Sequence, residues 1–170
     1  MAVAASRARH GAEAQASHRE GRGPYLRLAA MTALSFLAMY ALMYAMVDRM
    51  GNVLPNLNQA YMAGLMTAFM VIIELALMRS MYPSGRRNAA IALASVGALA
   101  ACWLLIREQS GIGDEQFLRS MIPHHAGAIL MCQEASLRDP EIEQLCRSIL
   151  SSQQREIDLM KAKLESRQGR

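Results

Sequence analysis

Three apolar runs follow one another in the first two thirds of the chain and restrict its fold more than any other feature. They cover residues 26–47, 60–78 and 88–106. A helix needs about 20 apolar residues to cross a hydrocarbon core about 30 Å thick, and each run is close to that length. Because three such runs in succession are not expected of buried helices in a soluble protein, the sequence predicts a three-span membrane anchor over residues 26–107.

The composition favours an all-α protein. Aromatic residues make up only 5% of the chain, whereas 14 residues are methionine, and alanine and leucine are abundant. These residues favour helices over sheets. The first run is too long for a signal-peptide core and no small-residue cleavage site follows it, so we expect it to stay as an anchor. Residues 1–25, rich in Ala, Gly and Arg, are predicted to form a disordered cytoplasmic tail.

The positive charges indicate membrane topology and not nucleic-acid binding. Around the spans, basic residues cluster before or at the edge of the first run and between the second and third, at Arg7, Arg9, Arg19, Arg22, Arg27, Arg79, Arg86 and Arg87. The loop at 48–59 carries only Arg49. Because basic loops stay in the cytoplasm, the N-terminus is predicted inside and residues 108–170 outside. In a bacterium this means the inner (cytoplasmic) membrane, with the C-terminal segment in the periplasm.

Residues 108–170 are predicted to form a helical hairpin. Asp114 is a suitable N-cap for a first helix that ends near Leu137. Asp139 and Pro140 predict the start of a second helix, with Asp as the N-cap and Pro at the first helical position. The second helix is expected to end near Leu164.

A turn centred near Asp139 predicts which residues face each other across the hairpin. Cys132 then lies opposite Cys146, and His125 lies opposite Gln153. Pro123 falls inside the first helix, where it leaves the carbonyl of Arg119 without its usual donor and predicts a kink. The alternative is that the helix begins at Pro123.

The same segment resembles the family called domain of unknown function 305. The resemblance covers roughly residues 110–165 and rests on Asp114, Phe117, Met121-Ile122-Pro123-His124-His125, Gly127-Ala128, Met131, Gln153, Glu156-Ile157 and Met160. It implies a ferritin-like fold, in which helical hairpins build a four-helix bundle. It also implies copper or silver handling through His and Met, as in some periplasmic members. This chain departs from longer members by having one hairpin, and it adds Cys132 and Cys146.

The histidines and methionines of the hairpin form the candidate metal site: Met121, His124, His125, Met131 and Met160. Thioethers and imidazoles together suit Cu(I) or Ag(I) better than zinc. The alternative is a surface pair of histidines without metal. Adjacent side chains on a helix diverge by about 100°, so one ion cannot easily be held by both histidines of a regular turn.

The cysteines and the membrane methionines each have two interpretations. A disulfide between Cys132 and Cys146 is favoured in an oxidising compartment, and metal ligation by their thiolates is the alternative.

The first two spans carry a stripe of methionines, which is either an additional soft-metal surface or simple gap filling. The stripe comprises Met39, Met43, Met46, Met50, Met62, Met66 and Met70. Glu74, in the second span, is expected to find a donor among Tyr40, Tyr44 and Arg79.

Together these patterns predict a membrane-anchored protein that binds Cu(I) or Ag(I) outside the cytoplasm for sequestration, relay or tolerance. The alternative is a metal-free assembly module whose hairpin pairs with a partner. An enzyme is not expected, because di-iron sites need several carboxylates with Glu-x-x-His motifs, which this chain lacks. The expected partners are membrane lipid, metal ion and a second copy, because a flank with Ile122, Ile129 and Leu145 needs cover, which a homodimer or higher homo-oligomer would provide. The competing way to cover this flank is docking on the outer ends of the three spans.

Overall fold

The protein is described by a computed structural model that covers residues 23–168. Within that range it is all-helical, as predicted, and has no strand. The five α-helices are α1 Gly23–Leu42, α2 Leu57–Leu77, α3 Gly85–Arg107, α4 Asp114–Glu134 and α5 Pro140–Gln168. Short 3-10 helices cover Met43–Met46, Met50–Asn52 and Arg79–Met81. The predicted disordered tail lies almost entirely outside the described residues.

The three predicted spans correspond to three helices that are long and apolar enough to cross a membrane: Gly23–Met46, Leu57–Leu77 and Gly85–Arg107. The first of them changes character near its end. Its α-helix stops at Leu42, and Met43–Met46 continues as a 3-10 helix. The chain is therefore compatible with membrane association through three spans.

Two compact units divide the described chain, and the first comprises residues 23–38 and 64–102. Leu28, Val71, Leu75 and Tyr82 form its core. The phenol of Tyr82 donates a hydrogen bond of 3.0 Å to Glu74. Burial of Tyr82 and this hydrogen bond raise the pKa of its phenol above the ordinary value, so it remains a donor at physiological pH. The prediction that Tyr40, Tyr44 or Arg79 donates to Glu74 is therefore wrong, because the donor is Tyr82.

The second unit, here called the hairpin unit, comprises Met39–Ala63 and Trp103–Arg170, of which the structure describes residues up to 168. The sequence predicted a single boundary between the membrane anchor and the hairpin, at residues 107 and 108, and the hairpin unit does not follow it. The ends of α1 and α2 with their connecting segment belong to the same unit as α4 and α5. The hairpin is therefore built together with residues 39–63 and is not a separate appendage.

The core of the hairpin unit lies between α4, α5 and the segment that connects α1 to α2. Ile122, Ala126, Ile129, Ile157 and Met160 are buried there. Val47 and Leu54, from the connecting segment, pack against them. The chain covers Ile122 and Ile129 itself, so of the two ways to cover this flank these residues use the one within the chain. Leu145 remains exposed.

The ends of α4 and α5 follow local capping chemistry. Asp139 caps α5 as predicted, because its Oδ1 accepts the backbone N–H of Glu141 at 2.8 Å. The N-cap of α4, however, is Gly113, and Asp114 is the first helical residue, where its charge suits the helix dipole. Helix α4 ends at Glu134, three residues before the predicted end. A disulfide joins Cys132 to Cys146 and ties the ends of the two helices together.

Candidate metal centre

A cavity of about 460 Å³ in the hairpin unit gathers many of the sulfur atoms that the sequence singled out. Helix α4 contributes Met121, His124 and Met131. The rest of its lining is Met43, Met46, Asn56, Asn58, Gln59, Met62, Ser120, Pro123, Gly127 and Ala128. Five thioethers and one imidazole therefore surround one space.

The α4 side of the cavity is a single helical stripe. Met121, His124 and Met131 follow one another at spacings of three and seven residues, which places them on one face of a helix. Pro123 lies inside α4, so the alternative in which the helix begins at Pro123 is wrong. The stripe is consequently continuous on both sides of the proline.

The carbonyl that Pro123 leaves free is used to attach α2. The side-chain amide nitrogen Nδ2 of Asn56 lies 3.5 Å from the carbonyl oxygen of Arg119. Asn56 also caps α2, because its Oδ1 accepts the backbone N–H of Gln59 at 3.0 Å. Gln116, from α4, in turn accepts the backbone N–H of Leu57 at 3.0 Å. The start of α2 is thereby held against α4.

His125 lies beside His124 but has a different environment. Its Nδ1 lies 2.9 Å from the carbonyl oxygen of Met121, which can only accept, so Nδ1 carries the proton and donates. Its Nε2 lies 2.7 Å from Oε2 of Glu156. His125 is only 7% exposed, whereas His124 is exposed and lines the cavity. An ion could therefore reach Nε2 of His125 only by displacing Glu156.

The predicted facing of His125 and Gln153 was wrong, since Glu156 is the partner. The remaining predicted residues lie away from the cavity. Met160 is buried in the core of the hairpin unit. The cysteines are consumed in their disulfide, as the favoured interpretation predicted. Of the methionine stripe, Met43, Met46 and Met62 line the cavity, and Met39, Met50, Met66 and Met70 do not.

The lining has a clear chemical character. Its donors are thioethers, one imidazole, and the amides and hydroxyl of Asn56, Asn58, Gln59 and Ser120. It includes no carboxylate and no thiol. Between residues 23 and 168 no group of three or more His, Cys, Asp or Glu side chains could hold a metal ion. This part of the chain thus offers no hard-metal or zinc-type cluster, whereas the thioether set suits a soft monovalent ion.

The polar residues that position this cavity were not predicted from the sequence. Asn56 and Gln59 fall in the loop predicted at 48–59, although Asn-x-x-Gln directly before an apolar run is a recognisable helix start. The sequence therefore contains a signal for the N-cap role of Asn56. The second role of Asn56, its approach to the carbonyl of Arg119, depends on residues far away in the sequence and has no local signal.

Comparison with known proteins relates the chain to one family and to a viral protein. The family described as a domain of unknown function (DUF305) matches residues 103–164. The uncharacterized protein L153 of Acanthamoeba polyphaga mimivirus is 34% identical over 140 residues, which cover 81% of this chain and 90% of that protein. The chain belongs to the DUF305 family. No solved structure matches it.

The similarity to the viral protein extends beyond the DUF305 region of this chain. The alignment of 140 residues is more than twice as long as residues 103–164, so it includes much of the span-forming part. The similarity therefore covers parts of both the spans and the hairpin. In this chain, residues from both parts line the cavity.

Proposed function

We propose that this DUF305 protein binds Cu(I) or Ag(I) in the cavity of the hairpin unit, for sequestration, relay or tolerance. The observation that carries the proposal is the lining of five thioethers and one imidazole without carboxylate or thiol. Thioethers and imidazoles prefer soft ions, whereas Mg²⁺ and Ca²⁺ prefer oxygen ligands. Methionine has three rotatable side-chain bonds, so the sulfurs can close around an ion much smaller than the cavity.

Within the hairpin, we propose that Met121, His124 and Met131 are ligands. His125 is a weaker candidate, because Glu156 and the carbonyl of Met121 engage both of its ring nitrogens. Its role is then to orient α4 and so to position His124. Met160 is the least suited of the predicted ligands, since it is 9% exposed and packs in the core.

The location we propose is the extracytoplasmic side of the cytoplasmic membrane, and two features support it. The loop basic residues favour a cytoplasmic N-terminus, in which case three spans leave the hairpin outside. The disulfide between Cys132 and Cys146 suits an oxidising compartment. Thioethers are also useful there, because they do not take up protons when the surroundings become acidic.

Binding of Ag(I) by the detergent-solubilised full chain, measured by competition with a chromogenic chelator, tests the function. We expect stoichiometric binding that is lost in a Met121→Leu/His124→Ala/Met131→Leu variant. Met160→Leu is the matched control, because Met160 lies on the neighbouring helix outside the cavity. Equal Ag(I) affinity in the wild type and the triple variant would contradict the proposal.

The alternative function is a metal-free assembly module that pairs with a second copy or another partner. Ile142, Leu145 and Leu159 support it, because they are exposed apolar side chains on α5. They would lie in the interface between the subunits of a homodimer or higher homo-oligomer. A protein that is oligomeric in native membranes and binds no Ag(I) would favour this function over metal binding.

A further inference from the structure

Three of the five thioethers that line the cavity come from outside the DUF305 region. That region, residues 103–164, supplies two thioethers and one imidazole. The other three thioethers belong to Met43, Met46 and Met62. The family resemblance therefore says nothing about these three methionines, and their role has to be inferred from the fold.

The 3-10 helix at Met43–Met46 aligns two of them more closely than an α-helix would. A 3-10 helix has three residues per turn, so side chains at positions i and i+3 are eclipsed. In a continued α-helix the same two side chains would diverge by about 60°. The 3-10 helix ends at Val47, whose N–H donates to the carbonyl of Tyr44 at 3.0 Å. The change in helix type thus aligns Met43 with Met46.

The 3-10 helix is held firmly beside α4. An ideal Cβ on Gly127 would lie 3.5 Å from the backbone oxygen of Met46, so the two backbones approach closely at this glycine. The hydroxyl of Tyr44 donates to the carbonyl of Leu54 at 2.9 Å. Val47 packs against the core that contains Ile122 and Ile129. Met43 and Met46 are therefore presented by a packed segment.

Met62 is held in place by the attachment of α2 to α4. It lies in the second turn of α2, directly after the residues that bond to α4. Asn58 donates to Ser120 at 3.3 Å, and Gln116 accepts the N–H of Leu57. Asn58 and Met62 are four residues apart, so they share one face of the helix. The bonds that fix Asn58 consequently also direct Met62 toward the cavity.

We propose that Met43, Met46 and Met62 determine the ion specificity of the site by turning a mixed histidine–methionine surface into a thioether-dominated one. The inference rests on the proposed function. An imidazole with two thioethers can also accept Cu²⁺ or Zn²⁺, because imidazole binds both ions well. Three further thioethers add affinity for a soft monovalent ion and contribute little to binding of a divalent one.

The test compares two triple variants of the full chain in detergent, with Ag(I) as the probe because it needs no reductant that could open the disulfide. Met43→Leu/Met46→Leu/Met62→Leu removes the cavity sulfurs and conserves side-chain volume. Met39→Leu/Met50→Leu/Met66→Leu is the matched control, since these methionines flank the first set and do not line the cavity. We expect Ag(I) affinity to fall by roughly tenfold or more in the first variant, to stay at the wild-type value in the control, and Zn²⁺ affinity to change in neither.

The outcomes separate this inference from the proposed function. A wild type that binds Ag(I) together with a cavity variant that binds equally well would overturn the inference alone. A wild type that binds no Ag(I) would overturn both. Equal losses in the two variants would also overturn the inference, because methionine content and not position would then set the affinity.

A second measurement needs no variant and covers the case in which the cavity variant fails to fold. X-ray absorption of the Ag(I)-loaded wild type counts the sulfur neighbours of the ion. The hairpin residues of the cavity supply at most two, from Met121 and Met131. Three or more sulfur neighbours support the inference, and two or fewer overturn it.

Discussion

Two neighbouring histidines show what can be inferred from residues alone. Helix geometry predicts that His124 and His125 diverge, and in the structure one lines the cavity and the other turns to Glu156. The partner itself was predicted wrongly as Gln153. Gln153 and Glu156 lie three residues apart on one face of α5, so register could not separate them. The carboxylate makes the stronger hydrogen bond to imidazole, and side-chain chemistry decides the pairing.

The first prediction at the residue scale concerns Glu156. Replacing it with alanine leaves Nε2 of the nearly buried His125 without its partner. We expect a loss of about 1–2 kcal/mol in the free energy of unfolding, since an unsatisfied buried polar group costs roughly that much. Glu156→Gln should lie between the alanine variant and the wild type, because its amide can still donate to Nε2 while Nδ1 donates to the carbonyl of Met121, but the stronger bond of the carboxylate is lost.

Thermal unfolding of the detergent-solubilised protein measures the effect. Glu165→Ala is the control, because Glu165 lies exposed on the same helix. A Glu156→Ala protein as stable as the Glu165→Ala protein would show that the bond to His125 contributes nothing to stability.

At the scale of elements, the sequence predicted helix type and number well and helix contacts poorly. Apolar length located α1, α2 and α3 to within a few residues, and Asp139 with Pro140 located the start of α5. The connecting segment after α1 gave no such signal. Its packing against Ile122 joins positions about 70 residues apart in the chain. Periodicity describes one helix at a time, so the sequence predicted an uncovered flank where the structure has a covered core.

The prediction for this scale uses Asn56, which caps α2 and approaches the carbonyl of Arg119. Asn56→Ala should weaken the start of α2 by about 1 kcal/mol, the usual contribution of an N-cap. Hydrogen exchange at the backbone amide of Gln59 should then be roughly fivefold faster. Asn56→Asp keeps the acceptor and should restore that protection, yet it cannot donate to Arg119. Unchanged exchange in the alanine variant would contradict the capping role.

For the whole molecule, anchor and hairpin have to be considered together. The viral relative shares 34% identity over a length that includes both parts, and residues 39–63 belong to the hairpin unit. The candidate site could be predicted only in part, because its lining comes from both the anchor and the hairpin. Residue chemistry identified the sulfur and imidazole donors. Which of the methionines outside the hairpin meet them depends on the 3-10 helix and on the attachment of α2, and neither has a signature in composition or spacing.

The last prediction is the orientation of the molecule in the membrane. Arg79, Arg86 and Arg87 lie between the second and third spans, whereas Arg49 is the only basic residue between the first and second. Arg49 is moreover engaged, because it bonds to Asp48 at 2.9 Å and to Gln154 at 2.6 Å within the hairpin unit. The unbalanced positive charge therefore predicts that the second connection lies in the cytoplasm. With three spans, we then expect the two termini on opposite sides of the membrane.

In a bacterial host, an alkaline phosphatase fused after residue 170 should be active, because that enzyme needs an oxidising compartment to form its disulfides. A fluorescent protein fused before residue 1 should fold in the cytoplasm. The same fusion in a variant with Arg79, Arg86 and Arg87 replaced by alanine is the control, since loss of these charges should randomise the orientation. A C-terminal fusion active only in the cytoplasm would contradict the orientation. It would also place Cys132 and Cys146 where thiols stay reduced, and the disulfide that ties α4 to α5 would not persist there.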